Sequence, residues 1–310
     1  MLGQMKSWIR GRARRMLGFD EIMAAVHDNQ EKVMTMVRRE YTVMPRFGFH
    51  QPLDYLDLTL PYEFQPATSR CYLDLPIPTG RDCYGYSPDE PDEYITWGKH
   101  DHDLIVKAIR DYGNTSSGSV KILDFGCSSG RVLRHFLAEY KQNEWQLFGC
   151  DIQAHAIEWM RTHFPQCFQI TTSSVLPHLP FEDNSFDCIY GFSVFTHIKY
   201  LWDAWLLELK RVLKPGGLLI QTIHAEAAWR HYYENREQGW VKNGYHTPRV
   251  YNVPQMDVNY LYYGDISVSQ VFWKKDIARQ FWGRYFDILD ILPPPEHSFQ
   301  DWIICRKSSS

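Results

Sequence analysis

The 310-residue sequence has no run of about 18 consecutive apolar residues, so no membrane-spanning helix is expected. Its opening stretch, MLGQMKSWIRGRARRMLGF, is basic but lacks the apolar centre of a secretory signal. The seven cysteines (71, 83, 127, 150, 167, 188 and 305) form no CxxC pair. An odd, dispersed set fits reduced thiols in a cytoplasm better than a disulfide framework. There is no excess of positive charge, and a net charge of -4 removes the general electrostatic ground for binding nucleic acid. The phosphate-binding Gly-Lys-Ser/Thr signature is missing, and no internal repeat or low-complexity tract stands out beyond Ser308–Ser310.

What is present is a globular composition, with 44% hydrophobic residues. Residues 1–45 form an expected helical arm. Lys6, Arg10, Arg12, Arg14 and Arg15 meet no acid before Asp20, and Phe19, Ile22, Val26, Val33 and Val37 recur at near-heptad spacing. Such an arm packs on its own domain, dimerises the chain, or makes peripheral contact with an anionic inner membrane face. Residues 46–95 are broken by prolines 52, 61, 66, 76, 78, 88 and 91. Their aromatics need burial, so this acid-rich segment is expected to wrap the main domain irregularly. The domain proper is placed at residues 96–310.

From Tyr94 onward, strand and helix alternate. Helices are expected over 101–112, 129–140, 154–163 and 200–213. Strands are expected at KILDF, WQLFGC, CFQITT, FDCIYGF and LLIQTI, with YFDILDIL and DWIICRK as a final antiparallel pair. Short apolar strands in this rhythm indicate an α/β fold: a Rossmann-like, mostly parallel sheet covered on both faces. Residues 225–270 are too long for a simple connection and are expected to cap the substrate side.

The turn after KILDF reads Gly126-Cys127-Ser128-Ser129-Gly130, so the middle glycine of a dinucleotide fingerprint is absent. Asp124, just ahead of the turn, would repel a pyrophosphate and welcome an ammonium. Asp151, directly after the next strand, is placed to accept hydrogen bonds from ribose hydroxyls. A ribose, an ammonium and no phosphate together describe S-adenosylmethionine.

Four pieces in order, LDFGCSSGR, GCDI, LPFEDNSFDCIYGFSVFTHI and ELKRVLKPGGLLIQT, carry a resemblance over roughly residues 120–224. The chain resembles the class I S-adenosylmethionine-dependent methyltransferases. SVFTHI, SFQDWIICRK and the basic arm are also similar to members from bacterial glycan and natural-product clusters. The resemblance implies a seven-stranded sheet and cofactor contacts at Trp97, Asp124, Gly126, Cys127, Gly130, Asp151, Ile152, Ser174 and Phe192. In LKPGG it implies a tight turn feeding the following strand. The sequence departs from the family at Ser128, where a central glycine is usual, and at Thr172-Ser173-Ser174-Val175, where many relatives carry an acid that meets the adenine.

His197, after FDCIYGF, and His224, after LLIQTI, fall at the expected cofactor edge, where an imidazole can take a hydroxyl proton. Trp229, Tyr232, Tyr233 and Tyr263 are the expected acceptor contacts in the cap, with Arg230, His231 and Arg236 as candidates for an anionic group. His100-Asp101-His102 does not make a metal site, because adjacent helical residues do not share a face. The expected activity is methyl transfer to an oxygen of a glycan or small molecule, without nucleic acid or metal. The alternatives are an N-methyltransferase, a dinucleotide oxidoreductase, which the missing glycine and Asp124 disfavour, and a methyltransferase-like scaffold without catalysis.

Overall fold

The computed structural model describes residues 71–78, 91–113, 119–238, 253–263 and 269–309. The expectations for the 1–45 arm and for most of the 46–95 segment lie outside these residues. The described parts of that segment are a small hairpin, β1 (Cys71–Tyr72) with β2 (Leu75–Pro76), and residues 91–95, which open a long helix. Leu73 and Asp74, both at positive φ, turn between the two strands.

The main sheet has seven strands: β3 (Lys121–Phe125), β4 (Gln146–Asp151), β5 (Phe168–Thr172), β6 (Phe186–Gly191), β7 (Leu213–Ile223), β10 (Asp287–Leu292) and β11 (Asp301–Arg306). Between β7 and β10 lies a separate antiparallel pair, β8 (Tyr260–Tyr263) and β9 (Gln270–Trp273). The main-sheet order is β10-β11-β7-β6-β3-β4-β5. Strands β3 to β7 pair in parallel, while β11 runs antiparallel to both β7 and β10. The order reverses at β3, which has β4 on one side and β6 on the other. A ligand crevice opens at such a reversal, beyond the carboxyl ends of the strands.

Alternation along β3 shows why the sheet is covered on both faces. Ile122 joins one apolar layer with Ile105 and Ile109 of α1 (Pro91–Tyr112) and with Trp159 and Met160 of α3 (Ala154–His163). Leu123 and Phe125 join the opposite layer with Leu206 and Leu209 of α4 (Trp202–Val212) and with Trp282 of α6 (Lys275–Trp282). Among the described residues there are two further α-helices, α2 (Leu137–Asn143) and α5 (Glu226–Glu234).

Three expectations need correction. Helix α1 starts at Pro91 rather than 101, so Trp97 lies inside it; proline suits a first helical turn, where its missing N–H goes unused. The helix expected over 129–140 is instead a turn, a 3-10 segment (Leu133–Phe136) and α2, because the loop must first close on Gly130 at φ 79°. LKPGG does not precede a strand; it is bulged into β7. Leu213 and Leu218 are five positions apart, while their partners Phe186 and Cys188 are two apart. The bulge is held by Gly216 N–H to Lys307 O (2.8 Å) and Lys307 N–H to Gly217 O (3.0 Å).

Candidate active site

The loop after β3 folds back on the end of β4. The N–H groups of Gly126 and Cys127 both donate to Cys150 O, at 2.8 and 3.1 Å, and Gly130 N–H donates to Cys127 O at 2.8 Å. Gly126 (φ 85°) must be glycine for a second reason: an added Cβ would sit 2.3 Å from Val194 Cγ2. Ser128 adopts a left-handed φ of 46° without being glycine. Its N–H donates to Asp151 Oδ2 at 2.8 Å, which offsets part of that strain. Gln153 N–H takes the other Asp151 oxygen at 2.8 Å. Burial raises the Asp151 pKa against these two bonds, and each oxygen keeps acceptor capacity for a hydroxyl.

Asp124 is 3% exposed. It shares its sheet face with Tyr190, whose hydroxyl donates to Oδ2 at 2.9 Å. Burial pushes this carboxyl up to about 7, with the Tyr190 bond and Arg131 pulling the other way. Arg131 donates to Asp101 Oδ2 (2.6 Å) and lies over the Phe192 ring at 5.7 Å. His297 Nε2 contacts Asp101 Oδ1 at 2.9 Å, and its ring stacks on Trp97 at 4.7 Å. Trp97 therefore faces the β10–β11 loop. His102 turns away to Glu139 and Asp103, so the His-Asp-His triplet points in several directions.

The remaining cofactor candidates divide. Ile152 is 40% exposed at the end of β4, an apolar surface at the crevice. Ser174 Oγ accepts from Leu176 N–H at 3.2 Å and shapes the turn after β5. Cys127 is different: its thiol is buried in the core beneath the loop, so only its backbone is available to a ligand.

His197 and His224 sit beyond the ends of β6 and β7. His197 Nδ1 lies 2.6 Å from the carbonyl oxygen of Ser269. A carbonyl only accepts, so Nδ1 carries the hydrogen and Nε2 holds the lone pair. Burial lowers the His197 pKa, with the Ser269 bond opposing it. His224 is 1% exposed, neither ring nitrogen has a partner among the described residues, and burial holds its pKa well below the usual histidine range. It is enclosed by Tyr232, Phe272 and Phe299, with ring centroids 5.2–5.7 Å away.

Two of the expected acceptor contacts belong instead to the packing of the cap. Trp229 is fully buried, donating Nε1–H to Val253 O at 2.8 Å. Tyr232 is 2% exposed and donates to Gln270 Oε1 at 3.3 Å. Both rings fill the space between α5 and β9, which leaves them no open face. Tyr233 carries the Arg236 guanidinium over its ring at 4.3 Å, and Arg230 is exposed. The Tyr263 side chain lies outside the described residues. Sequence reasoning missed Tyr190, Ser193, Thr222, Ser269 and Gln300. Only the fold brings Ser269 and Gln300 to His197.

Residues 123–221 match the family described as "Methyltransferase domain". A tRNA N(3)-methylcytidine methyltransferase from Drosophila melanogaster is 32% identical over 106 residues, covering 32% of this chain and 33% of that protein. A fatty-acid O-methyltransferase from Mycolicibacterium smegmatis is 25% identical over 143 residues, covering 45% and 50%. The chain thus spans half or less of the length of these relatives. A solved S-adenosylmethionine-dependent methyltransferase from Methanosarcina mazei overlays with a TM-score of 0.46 and 17% identity, over 65% of this chain and 97% of that one. The family match runs from β3 through most of β7, the stretch that holds the glycine loop, Asp124, Asp151 and His197.

Proposed function

We propose that the chain transfers a methyl group from S-adenosylmethionine to a hydroxyl oxygen of a glycan or small-molecule acceptor. The observation that carries this reading is the pair of buried carboxylates across the glycine loop. Asp124 is held near neutrality by burial, and a buried acid of this kind gains most from an incoming cation such as an ammonium. Asp151 is fixed by two backbone N–H groups, with lone pairs left for a diol.

The donor supplies a methyl group already activated on a sulfonium. The chain's own residues need only orient the partners and take a proton. Alignment can contribute about 7–11 kcal/mol in well-fixed systems. His197 is the base that the geometry favours: its tautomer leaves Nε2 unprotonated, its lowered pKa keeps it neutral at pH 7, and it stands beyond β6. A positioned base contributes roughly 10²–10⁴-fold. Calorimetry with S-adenosylmethionine, followed by a tritiated-methyl assay on panels of sugar, phenolic and amine acceptors, tests the proposal. No heat at millimolar donor favours the scaffold alternative, and transfer only to amines overturns the choice of oxygen.

A further inference from the structure

The β10–β11 loop reaches across the sheet to the candidate base. Thr222 Oγ1 accepts from Ser193 N–H at 2.7 Å, so its own hydrogen is free to go to Gln300 Oε1 at 2.6 Å. That fixes the Gln300 amide, whose Nε2 then donates to Ser193 Oγ at 3.0 Å. With one lone pair so used, the Ser193 hydrogen has two acceptors within reach: Thr196 Oγ1 at 3.1 Å and His197 Nε2 at 3.4 Å. On its other side His197 is clamped to Ser269, whose Oγ–H donates to His197 O at 2.5 Å while Nδ1–H donates to Ser269 O. Ser193 holds a left-handed φ of 57°, and its N–H bond to Thr222 offsets part of the cost of that conformation.

We propose that Gln300 is a positioning residue for His197, acting through Ser193 and anchored by Thr222. This rests on His197 being the base of the proposed reaction. The directions of the bonds carry the argument. Gln300 both accepts and donates, so it turns the Ser193 hydroxyl away from itself and toward the histidine side. The Ser193 hydroxyl then guards Nε2 until an acceptor hydroxyl replaces it. Facing His197 are Ser193 and Thr196 from its own loop, Ser269 from the approach to β9, and His224 from the end of β7. The titratable group among these four is His224, which burial keeps uncharged.

The test is nitrogen NMR on the full-length chain with ¹⁵N-labelled histidine. The His197 signal is identified by its loss in His197→Gln. Wild type is expected as the Nδ1–H tautomer. In Gln300→Glu a carboxylate can only accept, so the Ser193 hydroxyl turns back to it, away from Nε2. The His197 midpoint should rise by about one pH unit, a tenfold gain in proton affinity. Gln300→Leu should move it less, in the same direction, and the cofactor Kd by calorimetry should stay within about threefold. If Gln300→Glu fails to fold, Thr222→Val removes the anchor with little change of shape and should raise the midpoint as Gln300→Leu does. Folded variants whose midpoint stays within about 0.2 of wild type overturn the proposal, as does an Nε2–H tautomer in wild type. A wild-type chain that binds no S-adenosylmethionine instead sinks the methyltransferase reading, while the same titrations still decide whether Gln300 controls His197.

Discussion

Tyr190 donates its phenolic hydrogen to Asp124 across the β3–β6 pair, and the two residues are almost completely buried. The bond lies between an acid raised to about 7 and a phenol held well above its usual range by burial and the neighbouring carboxylate. Asp124→Asn keeps the shape and can still accept from Tyr190, but removes the charge. At pH 8 the wild-type carboxyl is ionised in both states, and only the folded state bears the desolvation. The variant is therefore expected to be more stable at pH 8 by on the order of 1–4 kcal/mol, the upper figure being the full linkage. Cofactor affinity should fall at least tenfold. Thermal denaturation and calorimetry on the same sample check both; a less stable Asn variant with unchanged affinity contradicts the assignment.

The same carboxyl predicts a proton count. With a pKa of about 7, half of the Asp124 side chains are protonated at pH 7 in the free chain. An ammonium placed beside it favours the ionised form and lowers the pKa, so Asp124 releases roughly half a proton on binding at pH 7. Binding accordingly weakens as pH falls below 7. Titrations in two buffers of different ionisation enthalpy measure the release; proton uptake at pH 7 excludes an ammonium at Asp124.

Much of this arrangement was legible in the sequence. The sheet, its final antiparallel strands and the two carboxylates at strand ends follow from apolar runs of strand length that stop at Asp151 or at Gly126. The alternation Ile122, Leu123, Asp124, Phe125 puts the acid on the face of Ile122, and the structure covers that face with α1. What the sequence did not reveal depends on contacts between distant segments. Asp101, Arg131 and His297 meet only because the β10–β11 loop folds over α1. Ser269 and Gln300 are ordinary polar residues until β9 and β11 bring them to His197. Aromatic enrichment in 225–270 suggested acceptor contacts, yet Trp229 and Tyr232 are consumed by packing against Met256 and Phe272.

His224 offers a sharper stability test. Its ring nitrogens are buried without partners among the described residues, and the neighbours seen there are aromatic. An unsatisfied buried polar group costs about 1–3 kcal/mol, and phenylalanine has nearly the same outline. His224→Phe should therefore raise the melting temperature. If turnover survives, His224 is not the base; if it falls at least tenfold with cofactor binding intact, His224 shares the proton transfer. A lowered melting temperature would mean that the imidazole is satisfied in a way these contacts do not display.

The pH profile separates His197 from other bases. Burial places its pKa below 6.5 in the folded chain, so it is already neutral and able to accept a proton at pH 7. Turnover under saturating donor should be flat from pH 7 to 8 and should decline only as pH drops below 6.5, where the imidazole takes up a proton. The unfolded chain binds that proton more readily than the folded one, so His197 and His224 both make stability fall as pH drops through the same range. Asp124 acts in the opposite sense, since its folded pKa is the higher one. His197→Ala should leave the cofactor Kd unchanged, lower turnover at least tenfold and abolish the acid limb of the profile. Retention of that limb in His197→Ala would assign the base to another group.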